Sequence, residues 1–187
     1  MKLIDLLSNK KTVVLNRWYD SILNTYPPET ATFLKNQKNP FLNPVGSTIW
    51  QAIEQIYEDL LHGTEKAAQF LDNIIRIRAV QDLTPAQCLG FISLLKTTIR
   101  EELKQELADK QVCDELMAFE LKIDSMTLLA FDIYMKCREK IFDIKVRELQ
   151  SWTFRRLQKA DEVCKKEYPF EDINNQTIEF ERKEVAK

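Results

Sequence analysis

The chain has 187 residues, 44% of them hydrophobic, enough to bury one sizeable core and simplest to read as one domain with a short appendage. A formal net charge of -2 and a pI near 5.6 argue against nucleic acid as the default partner. Three glycines, six prolines and no alternating β-branched runs predict an all-α protein, and no apolar run approaches the roughly 20 residues of a membrane-spanning helix.

In chain order, Leu3, Leu6 and Leu7, then Val13, Val14, Trp18, Ile22 and Leu23 recur at helical intervals until Tyr26-Pro27-Pro28 stops them. Asp5 and Lys10 interrupt the apolar start before a secretory core develops, which points to the cytoplasm. A turn or two is expected around Thr30 to Leu34, then a loop from Asn39 to Gly46. Ser47 or Thr48 is expected to open a helix whose face of Ile49, Ile53, Ile56, Tyr57, Leu60 and Leu61 stops at Gly63. Thr64 would cap a helix to about Val80. At the next corner Thr84 reads as an N-cap, Pro85 as the first helical residue and Gln87 as the partner closing a capping box. Leu89, Ile92, Leu95, Ile99 and Leu103 then carry a helix to about Leu107.

The polar run Ala108-Asp109-Lys110-Gln111 predicts a break. Beyond it Leu116, Phe119, Ile123, Met126, Ala130, Ile133 and Cys137 follow four-and-three spacing of the coiled-coil kind, slip at Ile141 and resume at Ile144. Such a helix, reaching about Cys164 or breaking near Leu149 to Ser151, is long enough to pair with another. Ile123 to Ile144 on this line are the candidate dimer or signalling residues. The helical domain is expected over 1–165, and 166–187 reads as a polar, flexible tail.

Chemistry-bearing residues are few. Arg76, Arg78 and Gln81 stand beside the Asp82 corner; one arginine is expected near the core, either tying that corner or serving as an anion or partner site. His62, the only histidine, falls at a helix end, where a cation is favourable without any ligand. Cys88, Cys113, Cys137 and Cys164 are too far apart for a zinc site or a redox dithiol and read as reduced thiols. Arg155, Arg156 and Lys159 interleave with Trp152 and Phe154, a pattern that suits an acidic partner or nucleic acid but equally a snorkelling surface. No phosphate-binding, hydrolase or metalloprotease motif is present, so no catalytic residue, metal or cofactor is expected.

The order of residues adds a resemblance. Asn43-Pro44-Val45-Gly46, the run from Ile74 through Arg78-Ala79-Val80-Gln81 and Thr84-Pro85 to Gln87, and Phe91 with Leu95-Lys96 and Arg100-Glu101-Glu102-Leu103 resemble the N-terminal domain of the RsbT co-antagonist proteins, the RsbR/RsbRD family of stressosome sensors. The resemblance covers roughly residues 5 to 150. It implies a globin-like bundle without haem, a homodimer through long terminal helices, and a role in stress-related signal transduction with an unidentified protein partner. Family members continue into a STAS domain, so this chain is expected to be a stand-alone member. Two other functions remain open on sequence: a haem or small-ligand carrier using His62, and a nucleic-acid-binding regulator using Arg155 and Arg156.

Overall fold

The computed structural model describes residues 2–37, 39–63, 66–81 and 83–167. Eight α-helices and no strand occur among them: α1 (Leu3–Asn9), α2 (Lys11–Leu23), α3 (Pro28–Asn36), α4 (Pro44–His62), α5 (Ala67–Ala79), α6 (Pro85–Leu89), α7 (Phe91–Glu102) and α8 (Lys110–Glu167). The all-α expectation holds. The chain forms two compact units, Met1–Glu139 and Lys140–Lys187. Of the expected 166–187 tail, everything from 168 on lies outside the described residues.

Several boundaries differ from expectation, each for a local reason. The first apolar stretch is two helices, divided at Lys10, whose ammonium reaches across to the Glu102 carbonyl at 2.6 Å and the Glu106 carboxylate at 2.7 Å. α4 starts at Pro44 instead of Ser47 or Thr48, because Asn43 caps it by accepting from the Gly46 amide at 2.8 Å. Proline at the first helical position lacks only a hydrogen that would have been idle there. The expected end at Gly63 is present in the left-handed form, φ 68°, which glycine adopts without a Cβ penalty. The Thr64 cap lies outside the described residues, and α5 begins at Ala67.

The predicted helix from Pro85 to about Leu107 breaks at Gly90 into α6 and α7. A Cβ on Gly90 would come within 2.8 Å of the Ala86 carbonyl oxygen, so only glycine fits that close approach. After α7 a short 3-10 turn, Glu106–Ala108, leads into α8 through the expected break. α8 then runs 58 residues without the possible interruption near Leu149.

Within Met1–Glu139, Trp18 stands at the centre of the core, fully buried, its indole N–H donating to the Phe91 carbonyl at 2.7 Å. The buried Tyr57 hydroxyl likewise donates to the Leu7 carbonyl at 3.0 Å. Each aromatic adds apolar area while its polar atom is satisfied. α8 closes the unit with Val112, Leu116, Phe119, Ile123, Met126, Ala130 and Tyr134, all buried. Outside that face, Arg100 of α7 forms a bidentate pair with Glu120 at 2.6 and 2.7 Å, and Lys96 pairs with Asp124.

Asn43 joins α3 to α4. Its amide nitrogen donates to the carbonyls of Leu34 and Gln37, both at 2.8 Å, while its oxygen caps α4. A Cβ at Gly46 would lie 2.4 Å from that amide nitrogen, so the cap and the glycine require each other. Asn43→Ala removes the cap and leaves two carbonyls unmet, and is expected to lower unfolding stability by about 3 kcal/mol in urea titration. Gly46→Ala should lose a comparable amount.

A pH dependence also follows. The Leu3 amide, with Gln111, holds the Glu115 carboxyl below its ordinary value, and Lys10 does the same for Glu106. Folded-state values below unfolded ones mean that these contacts contribute fully above the ordinary glutamate range and are lost as pH falls through the lowered values. Acid denaturation should therefore steepen below about pH 4.3. Glu115→Gln should make the stability-versus-pH curve shallower there.

Candidate functional site

The corner between α5 and α6 is built as its residue order predicts. Thr84 Oγ1 accepts from the Gln87 amide at 3.3 Å, and Gln87 Oε1 accepts from the Thr84 amide at 3.0 Å, closing the capping box. These groups are exposed and meet one another's backbone needs. Asp82 lies outside the described residues.

The three polar residues singled out beside this corner have different placements. Arg76 is exposed and pairs with Asp72 one turn back on α5. Gln81 is half-buried; its amide donates to the Arg78 carbonyl at 3.3 Å, while its side-chain oxygen is buried without a partner. Arg78 is the arginine turned into the core, with 0% of its surface exposed.

Arg78 ties three segments together. Its Nη2 donates to Thr25 Oγ1 at 3.0 Å, in the α2–α3 connection, and to the Gln87 carbonyl at 2.9 Å, near the end of α6. The guanidinium carbon lies 5.1 Å from the centre of the Tyr26 ring and 6.0 Å from that of Phe91, where ring faces partly offset a buried positive charge. Two of its five N–H groups are thereby used. Nε and Nη1 carry the other three, buried and without a partner, and the buried Tyr26 hydroxyl has none either. No carboxylate pairs with Arg78 among the described residues. Each idle buried donor costs about 1–3 kcal/mol, so this site holds an unusual concentration of unmet polarity.

Cys88 shares the corner. Burial pushes its thiol up to about 11, with the Arg78 and Arg138 charges acting in the opposite direction. A thiol so shifted is almost entirely protonated at neutral pH and is a poor nucleophile. Two positive groups therefore act on this buried region, one from α5 and one from α8.

The residues proposed for the dimer or signalling helix divide by burial. Ile123, Met126 and Ala130 are buried within Met1–Glu139, so they serve that unit's own core and are not open to a second copy. Ile133, Cys137 and Ile141 are half-buried, and Ile144 is exposed. The exposed apolar residues of α8 in the same unit include Leu121, Leu128 and Met135, spaced by seven. In Lys140–Lys187 the interval continues in sequence with Phe142 and Leu149, also exposed. Sequence reasoning passed over this second series because the 116-to-137 stripe was the stronger one.

His62 is exposed at the end of α4, its Nε2 3.3 Å from Glu58 Oε2. Arg156 lies over the Trp152 ring at 3.6 Å, and Arg155 donates to Ser151 at 3.1 Å, both on the exposed surface of α8. A cleft of about 530 Å³ is lined by Tyr19, Asp20, Asn43 and Trp50 among others, but by none of Arg76, Arg78 and Gln81. No group of three or more potential metal ligands is clustered among the described residues. Thr25 and Tyr26, the partners that complete the Arg78 site, carried no sequence signal beyond the helix stop at Pro27-Pro28.

Comparison with known proteins places these features in context. A family model described as the RsbT co-antagonist protein RsbRD N-terminal domain matches residues 12–149. An uncharacterized protein of Archaeoglobus fulgidus is 25% identical over 139 residues, covering 74% of this chain and 83% of its own. No solved structure matches.

The energetics of Arg78 can be tested by replacing charge while keeping bulk. Arg78→Met forfeits the bonds to Thr25 and Gln87 but also removes a buried charge with unpartnered N–H groups, so its unfolding free energy in low-salt buffer is expected within about 1 kcal/mol of the parent, or above it. A loss beyond about 3 kcal/mol would show that the two hydrogen bonds outweigh the burial of charge.

Proposed function

The chain belongs to the RsbT co-antagonist RsbRD N-terminal domain family, and on that premise we propose that it is a non-catalytic sensor or adaptor domain acting in signal transduction as a homodimer. The observation that carries this reading is the uncovered apolar series on α8. Leu121 is 66% exposed and Leu128 71%, and both recur at the interval of seven that two-stranded coils use. A helix side chain of that size left in water forgoes roughly 1.5–3 kcal/mol of burial, and several in one series supply the driving force for association. The partner is a second copy, whose own apolar series can meet this one across a two-fold axis.

Signal transmission follows from the same helix. Inside Met1–Glu139 one stripe of α8 is fixed by the core, through Ile123, Met126 and Ala130. A change of packing in that core therefore alters the helix that carries the exposed series. The output is a protein partner and the setting the cytoplasmic stress response, readings supported by the family and by the finding that no described helix is long and apolar enough to cross a membrane.

The globin-type carrier reading through His62 gains nothing from an exposed imidazole beside Glu58. The nucleic-acid reading through Arg155 and Arg156 rests on exposed cations within a chain of net charge -2.

Light scattering coupled to size exclusion tests the dimer. The parent chain is expected at twice its 22.0 kDa mass, and Leu128→Glu at that mass itself, with unchanged helical circular dichroism. A parent that stays monomeric at every accessible concentration sinks the paired-helix reading. A Leu128→Glu protein that remains dimeric moves the interface elsewhere.

A further inference from the structure

We propose that the buried corner around Arg78 is a binding site for a small carboxylate anion, so that the input this domain senses is chemical. The proposal deepens the sensor reading above and rests on it for its biological meaning, but not for its geometry. That geometry has three parts.

First, the guanidinium is fully buried and no described carboxylate pairs with it. Buried guanidinium N–H groups without acceptors are unfavourable, and a carboxylate is the anion they match best. Second, the idle donors are concentrated. Nε and Nη1 of Arg78 and the hydroxyl of Tyr26 are all buried and unpartnered, with the Tyr26 ring 5.1 Å from the guanidinium carbon. Donors dominate, as an anion requires. Third, the exposed Arg138 of α8 acts on Cys88 in the same sense as Arg78, while burial and Cys137 act in the other. The apolar faces of Phe91 and Tyr26 complete an environment of low dielectric, in which a charge-assisted hydrogen bond gains strength.

The site is also placed to be felt by the fold. Arg78 holds the α2–α3 connection through Thr25 and the end of α6 through the Gln87 carbonyl. An anion drawn to Nε and Nη1 shares the guanidinium with those two bonds. Thr25 is exposed and Tyr26 half-buried in a short connection, so the route from solvent crosses a segment that is not packed on all sides.

The test is thermal unfolding of the full chain in formate, at constant ionic strength balanced with the bulky sulfonate buffer MES. A ligand that binds only the folded state raises Tm in proportion to the logarithm of its concentration above Kd. The expected result is such a rise for the parent chain and a flat response for Arg78→Met. Should Arg78→Met not fold, Tyr26→Phe carries the test, since removing one hydroxyl should shift the formate response to about tenfold higher concentration. An equal rise in parent and variants, or no rise in the parent, overturns the site. Chloride or nitrate acting as strongly as formate overturns the carboxylate assignment. Light scattering on the same samples separates the two readings: a dimer indifferent to formate removes this proposal alone, and a monomer that responds to formate removes the dimer alone.

Discussion

Burying one positive charge is the constraint around which the central helices are arranged. Arg78 lies near the end of α5, and everything it touches belongs to some other segment: Thr25 and Tyr26 between α2 and α3, Gln87 in α6, Phe91 at the start of α7. Phe91 in turn accepts from Trp18, the largest fully buried side chain. The polar clamp and the apolar centre are therefore adjacent in contact, linked through one phenylalanine. Moving the α5–α6 corner would break hydrogen bonds and repack the centre together. A sensor needs that coupling, because a local event becomes visible elsewhere only when the packed interior cannot absorb it gradually.

α8 meets a second constraint, one of period. Against the body of Met1–Glu139 its buried residues run Leu116, Phe119, Ile123, Met126, Ala130 and then Tyr134, not Ile133. A straight helix packed on a globular surface keeps close to 3.6 residues per turn, so the buried stripe drifts from a strict repeat of seven. The exposed series Leu121, Leu128 and Met135 holds that repeat of seven. One helix thus carries two periods. The first belongs to its own domain, and the second suits a partner helix wound around it.

Much of the fold was legible in the sequence because helix punctuation is local chemistry. The Thr84 capping box, the Gly63 terminus and the break before α8 all depend on residues within one turn of each other. The start of α4 was read too late, at Ser47 or Thr48, because serine and threonine there offered a competing cap to Asn43. What could not be read was anything set by distant contacts. The division at Lys10 depends on Glu102 and Glu106, some 90 residues away. Of the candidate site, the sequence supplied Arg78 and the expectation that one arginine would turn inward. It did not supply Tyr26 or Thr25, because a residue 53 positions away is brought to a guanidinium only by the folded core. For the same reason, spacing showed that α8 was amphipathic without showing which of its stripes the body would claim.

The molecule has two unusual features. Donors without acceptors are held around Arg78, and apolar side chains on α8 are left in water. Neither condition favours an isolated domain: the first costs hydrogen bonding and the second forgoes burial. Both persist together in a chain whose remaining core is well packed, with Trp18 and Tyr57 fully buried and satisfied. Stability alone would favour methionine at 78 and charged residues at 121 and 128. On the proposed sensor reading, the costlier side chains at both places have a use, because each unmet group is a place where a ligand or a partner can shift the folded state.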